Sequence, residues 1–157
     1  MNVSAIVYTS NTGYTEQYAR MLGRKTGLPV HELSAAPRGK AVVYLGWMMA
    51  GSVVGITKAK RRCRVAACCA VGMGGREQEE TLRKKYSGLP VFCLRGGYHH
   101  AKLTGLYKKM METLAKVMKK RPNDPAARVI VDAVARPEGI SWVSEDQLEP
   151  VLEWLER

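Results

Sequence analysis

No run of apolar residues in this 157-residue chain approaches the eighteen or so needed to cross a bilayer. The residues after Met1 enter a polar-flanked strand pattern, not a basic, apolar, cleavable leader, so the chain reads as cytoplasmic. Its four cysteines, Cys63, Cys68, Cys69 and Cys93, form no CxxC pair. Three of them lie in or beside apolar strand-like runs, where a thiol packs as a small hydrophobe, which points to free structural thiols and away from a redox pair. Internal repeats and low-complexity segments are absent. Acidic residues are scarce: 14 against 25 basic ones, a surplus of eleven. That balance favours anionic partners, such as an acidic redox protein, a carboxylate-bearing small substrate or a weakly attracting anionic membrane surface. The densest basic cluster, Lys58, Lys60, Arg61, Arg62 and Arg64, carries no interleaved aromatics or nucleic-acid motif, which argues against nucleic acid as the partner.

The length suits one domain spanning residues 1–157 with a single sizeable core. Residues 3–8 are too few for a helix and rich in β-branched side chains. They are followed by a polar turn and a helical pattern over 14–22. Further strands are expected at 29–33, 41–46, 65–72 and 90–94, with a charged helix at 76–86. Strands alternating with helices imply an α/β fold with a parallel, doubly covered sheet. Leu106, Tyr107, Met110, Met111, Leu114, Val117 and Met118 recur at helical spacing and predict a helix that buries them and leaves its lysines outside, stopped by Pro122. A last strand is expected at 128–133. A closing helix should start near the capping signal Ser144 to Gln147.

One connection is too short for the pattern. Only seven residues separate Leu33 from Ala41, fewer than the dozen a helical crossover needs. Seven extended residues reach about 23 Å, just over the roughly 19 Å required to return along a strand and pass one neighbour. The second crossover helix is therefore expected to be missing. Part of one sheet face near residues 3–8 and 29–33 should then be bare, and a bare apolar face implies a homodimer or a docked partner.

The chemistry concentrates in three turns. Thr9, Ser10, Asn11, Thr12, Gly13, Tyr14 and Thr15 lie between the first strand and a helix start, where free N–H groups and the helix dipole attract an anion and hydroxyls add donors. Lysine does not follow the glycine and G-x-G-x-x-G is absent, so a monophosphate fits better than a nucleoside triphosphate or a dinucleotide. An ordinary capped helix start would use the same residue types. The second turn is Gly46, Trp47, Met48, Met49, Ala50 and Gly51, where an indole at a strand tip can stack on a flat ring or anchor an interface. The methionines there and at Met73 can line a ring edge or fill core gaps. The third is Gly72, Met73, Gly74 and Gly75, whose glycines allow close approach of a ligand or form a plain strand-to-helix turn.

The first turn resembles the flavodoxin phosphate motif T/S-x-T-G-x-T, met here at Ser10, Thr12, Gly13 and Thr15, with Tyr14 where flavodoxins often carry Asn. The other two turns stand where flavodoxins place the loops that enclose the isoalloxazine ring. The resemblance implies a flavodoxin-like three-layer fold, FMN as cofactor, and an electron-transfer protein or small flavin-dependent oxidoreductase. It is closest to the flavodoxin-type protoporphyrinogen oxidases and their short relatives, through Leu94-Arg95-Gly96-Gly97-Tyr98 and the basic, Met-rich helix that follows. The long insertion typical of that oxidase is absent. Two other functions fit the same residues: a flavodoxin-shaped binding module that carries no flavin, and a membrane-peripheral oxidase of the protoporphyrinogen type. Tyr98, His99 and His100 follow the fourth clear strand and are candidates to face a substrate or partner, though a solvated turn suits the His pair as well. The pair has no third ligand at metal spacing. No catalytic residue is nominated. The cluster Lys58 to Arg64, beside a predicted flavin loop, is expected to raise the flavin potential above that of acidic flavodoxins.

Overall fold

The computed structural model describes residues 2–157 and divides into two compact units, one comprising the residues up to Gly96 with Val143–Arg157, the other Gly97–Trp142. The first unit runs β1 (Ala5–Thr9), α1 (Tyr14–Thr26), β2 (Val30–Glu32), β3 (Ala41–Met49), β4 (Ser52–Val53), α2 (Ile56–Arg62), β5 (Arg64–Gly72), α3 (Glu79–Lys85) and β6 (Val91–Arg95). Its five main strands are all parallel, in the order β2-β1-β3-β5-β6, and the short β4 pairs antiparallel with the end of β3. Counting main strands only, this is the 2-1-3-4-5 order of the flavodoxin-like doubly wound fold.

Both faces of the sheet are packed, which is why its strands read as continuous apolar runs and not as alternating ones. One face carries Ile6, Tyr8, Val43, Leu45, Cys69, Val71 and Leu94 against Tyr18, Ala19 and Leu22 of α1 and against Leu148 and Val151 near the C-terminus. The other carries Ala5, Val7, Val42, Tyr44, Cys68, Ala70 and Val91 against Leu33, Ala36, Ile56 and Ala59 and against Leu82 of α3. A register shift opposite Val42/Val43, where Val65 and then Ala67 are the partners, inserts Ala66 as an extra residue. Beyond it, Cys68 and Cys69 alternate to opposite faces, and all four cysteines are free and buried, as expected of structural thiols.

The missing crossover helix is missing: a single 3-10 turn, Leu33–Ala35, is the only helical piece between β2 and β3. The bare sheet face expected from it is not there. Ala5 and Val7 are 1% and 0% exposed, because Leu33 and Ala36 of the short connection fold onto them together with α2. The apolar ground for a homodimer at that face is therefore gone. The helix α2 itself was not apparent as one, since its last turn is Lys60, Arg61 and Arg62 and only Ile56 and Ala59 are buried.

The second unit holds β7 (Gly97–Tyr98), α4 (Gly105–Met118), α5 (Pro125–Ala135) and β8 (Ile140–Ser141), with β7 and β8 antiparallel and α4 packed on α5. The strand expected at 128–133 is helical. Asp124 caps it by accepting from the Ala126 N–H at 3.0 Å, and Pro125 occupies the first turn, where its missing N–H costs nothing. These two signals outweigh the β-branched run Val129, Ile130 and Val131. In the first unit again, Glu145–Leu148 is a 3-10 turn that leads into α6 (Glu149–Leu155), and the Ser144 side chain makes no cap.

Candidate functional site

The register of the sheet puts the three singled-out turns side by side. Thr9 at the end of β1 pairs with Gly46 of β3, Gly46 with Ala70 of β5, and Gly72 with Arg95 of β6. All three turns thus leave neighbouring strands at the C-terminal edge, beside the point where the order reverses between β1 and β3, the place where open α/β sheets offer a crevice.

In the first turn, Gly13 is the residue before α1, with φ 97 and ψ −11, a left-handed conformation that a β-branched residue would resist. No side chain caps this helix. The first intrahelical bond runs from the Gln17 N–H to the Gly13 carbonyl, so the N–H groups of Tyr14, Thr15 and Glu16 have no acceptor within the helix. A Cβ built on Gly13 would meet nothing within 4 Å, so the helix start opens on free space. Two of the expected donors are committed inward. The Gly13 N–H donates to Ser10 Oγ at 3.1 Å, and the Thr9 hydroxyl lies 3.0 Å from that of Tyr44. Thr15 is buried at 2% exposure, whereas Asn11 is exposed and Thr12 half-exposed. Glu16 brings a negative charge to the first turn of α1, where Arg20 pairs with it at 2.6 Å.

The second turn is not an irregular loop. β3 continues through Trp47, Met48 and Met49 and folds back on β4 through Ala50 and Gly51, whose φ values of 48 and 74 are those of a two-residue hairpin turn. Trp47 follows Leu45 on the α1 face of the sheet and is half-buried, while Met48 lies on the opposite face and Met49 is 39% exposed. The tip is clamped from α3: Lys85 Nζ donates to the Gly51 carbonyl at 2.9 Å and the Val53 N–H donates to the Tyr86 hydroxyl at 2.8 Å. Gly46 is glycine for want of space, since a Cβ there would stand 2.5 Å from Val53 Cγ1 and 2.7 Å from the Val54 carbonyl oxygen.

In the third turn, Gly72 lies tight against Met48, and the Gly75 N–H donates to Glu77 Oε1 at 2.8 Å. That bond holds the Glu77 carboxyl below the usual carboxylate range. Arg95 organises this end of the sheet. Its Nε donates to the Met73 carbonyl at 3.2 Å, its N–H donates to Gln147 Oε1 at 2.7 Å, and its carbonyl accepts from the Tyr18 hydroxyl. In sequence Arg95 stands only within a segment of family resemblance and Gln147 only within a capping signal, because nothing local announces a partner so distant along the chain. The hydroxyl of Tyr18, itself fully buried, is the signal that a polar partner had to exist.

The cluster Lys58 to Arg64 is strung along α2 and into the start of β5 and lies only partly away from this edge: Lys60 Nζ stands 5.5 Å from the ring of Tyr86, whose hydroxyl holds the Val53 N–H of the hairpin. Lys60, Arg61 and Arg62 form the last turn of α2, where cations offset the helix dipole, and Arg64 pairs with Ala41 at the start of β3. Ala41 is five positions from Gly46, roughly 17 Å along the strand. Over that distance the screening length of about 8 Å removes most of the influence of exposed charges.

Tyr98, His99 and His100 belong to the second unit, where Tyr98 and His100 are hydrogen-bonded and do not form a solvated turn. Tyr98 is buried, its hydroxyl 2.8 Å from His100 Nδ1, and His100 Nε2 is 3.0 Å from Glu112 Oε1 on α4. Burial first, then the charges of Tyr107 and Glu112, push the Tyr98 phenol well up. His99 packs on Gly139, and its Nδ1 is buried without a partner. Among the described residues no three His, Cys, Asp or Glu side chains converge as a metal would require, and no helix is long and apolar enough to cross a membrane. Compared with models of known protein families, with curated proteins and with solved structures, the chain matches none.

Proposed function

We propose that the chain is an FMN-binding redox protein of the flavodoxin type, related to the short relatives of the flavodoxin-type protoporphyrinogen oxidases, and that it works in the cytoplasm with an acidic redox partner or an anionic small substrate. The observation that carries this reading is the convergence of three turns on the reversal point of a 2-1-3-4-5 sheet, beside a 13-residue helix whose N-terminus is uncapped and open. In this reading the N–H groups of Tyr14, Thr15 and Glu16 hold the phosphate, with the hydroxyls of Ser10 and Thr12 as further donors. Trp47 and Met73 flank the ring from the second and third turns. When bound, FMN supplies the electron transfer. The protein orients it, keeps water from one ring face with the indole, and sets its potential.

A second reading has its own observation. The Gly13 and Gly75 N–H groups are already satisfied by Ser10 and Glu77, as they would be in a flavodoxin-shaped binding module that carries no flavin. The absorption spectrum of the purified chain, followed by FMN titration read as quenching of flavin fluorescence, decides between the two. Saturable quenching at one FMN per chain, lost in Gly13→Val with circular dichroism unchanged, supports the flavin reading. A folded, colourless chain that quenches nothing removes the flavin reading.

A further inference from the structure

We propose that α4 lies on an anionic bilayer surface and that its docking face is the stripe Leu106, Met110, Thr113 and Val117. This inference is independent of the flavin reading. The four residues stand at i, i+4, i+7 and i+11, within about 60° of one another on the helix and along about 17 Å of its length. Helical spacing alone would have placed three of them, Leu106, Met110 and Val117, in a core. Instead Leu106 is 83% exposed, Met110 43% and Val117 47%, and Thr113 is exposed as well. The face that packs on α5 is a different one, centred on the buried Met111 and Ala115. An unpartnered apolar ridge of this kind is costly to leave in water.

The charges choose the occupant. Lys109, Lys116 and Lys120 run along one flank of the ridge, all exposed, and the unit Gly97–Trp142 carries nine basic residues against four acidic. An apolar stripe with lysines beside it suits a surface that is apolar beneath and negative above, the lysine stems reaching sideways to headgroups. A second copy of the chain fits poorly. Antiparallel pairing of the ridge with itself would bring two lysine rows together, parallel pairing would set each row beside no acid of the other α4, and the one acidic residue of α4, Glu112, is engaged by His100.

Co-sedimentation of the full chain with vesicles of phosphatidylcholine alone, and of phosphatidylcholine mixed with phosphatidylglycerol, tests the proposal. Binding is expected with the mixed vesicles only, and to weaken as salt is raised. Lys109→Gln with Lys116→Gln and Lys120→Gln should lower partitioning by about five-fold per lysine, on the order of a hundred-fold in all. Leu106→Glu with Met110→Glu should abolish it. All five positions are exposed, so circular dichroism and the thermal transition should stay as in the parent. Arg61→Gln with Arg64→Gln, on the first unit, should leave binding unchanged. The proposal is overturned if the chain ignores anionic vesicles, if only the Arg61 and Arg64 variant loses binding, or if light scattering shows a dimer that Leu106→Glu splits.

Discussion

The hydroxyls of Tyr44 and Thr9 lie 3.0 Å apart, and that of Tyr44 is also 2.7 Å from the Val54 carbonyl oxygen. A phenol has one proton to give, so Tyr44 donates to the carbonyl and accepts from Thr9. This ties the end of β1 to the segment after the β3–β4 hairpin and takes the Thr9 proton away from any ligand. Tyr44→Phe, which removes both bonds of a fully buried phenol and leaves two half-buried partners unpaired, should cost about 1–3 kcal/mol of stability in urea unfolding. Thr9→Val should weaken folding by a similar amount while changing FMN affinity little. A Thr9→Val variant that folds normally but loses FMN would return Thr9 to the phosphate site.

The glycines of the three turns differ in why they are glycine, and alanine substitutions separate them. Gly46→Ala drives a Cβ into Val53 and the Val54 carbonyl, so it should destabilise by about 1–3 kcal/mol. Gly74→Ala meets only the flexible end of Gln78 and has no positive φ to strain, so its unfolding midpoint should stay near that of the parent. Denaturant titrations of the two variants side by side measure the difference.

How far this architecture could be read in advance depended on how local each signal was. The strand runs, the start of α1, the missing crossover and the buried cysteines are written in adjacent residues. The hairpin at Ala50 and Gly51 was hidden because Trp47, Met48 and Met49 read equally well as a loop or as a strand extension. At α5, Val129, Ile130 and Val131 read as strand until Asp124 and Pro125 are weighed as a cap. Charge misled most. Lys58 to Arg64 follow the second turn closely in sequence, but the run ends with Arg64 at the far edge of the sheet, opposite Ala41, while Arg95, a lone arginine at a strand end, is the cation bonded to the third turn.

Buried acids make stability fall in alkali. Burial pushes the thiols of Cys68 and Cys93 from 9.0 up to about 12, and the Tyr44 phenol from 10.0 up to about 12. Each raised value means that the folded chain holds a proton the unfolded chain has released. The stability they contribute is complete below pH 9 and is lost as pH climbs from there toward 12. Urea midpoints should therefore be level across neutral pH and drop from about pH 9 upward, and Tyr44→Phe should flatten the upper part of the fall.

All four thiols should be slow to react. Cys63 donates its S–H to the Pro37 carbonyl at 3.1 Å, and the other three lie inside the sheet layers. A thiol reagent at neutral pH should find few or none in the native chain and four after denaturation. Rapid labelling of Cys68 or Cys69 in the native state would show that β5 opens.

The last prediction concerns the potential of the flavin, if it binds as proposed. Reduction adds negative charge to the ring, so a nearby cation favours the reduced form and a nearby anion opposes it. Arg64, opposite Ala41, lies roughly 17 Å back along β3, about two screening lengths at physiological salt, so its contribution is small. Arg95 instead bonds to the Met73 carbonyl in the third turn, where it faces the opposing charge of Glu77. Arg95→Gln should thus lower the midpoint potential, by an energy on the order of 1 kcal/mol at a partly solvated edge, and Glu77→Gln should raise it. Arg61→Gln with Arg64→Gln should leave it unmoved. Potentiometric titration of the three variants reads these signs directly, and a potential that followed Arg61 and Arg64 but not Arg95 would mean that the ring lies somewhere other than the C-terminal edge.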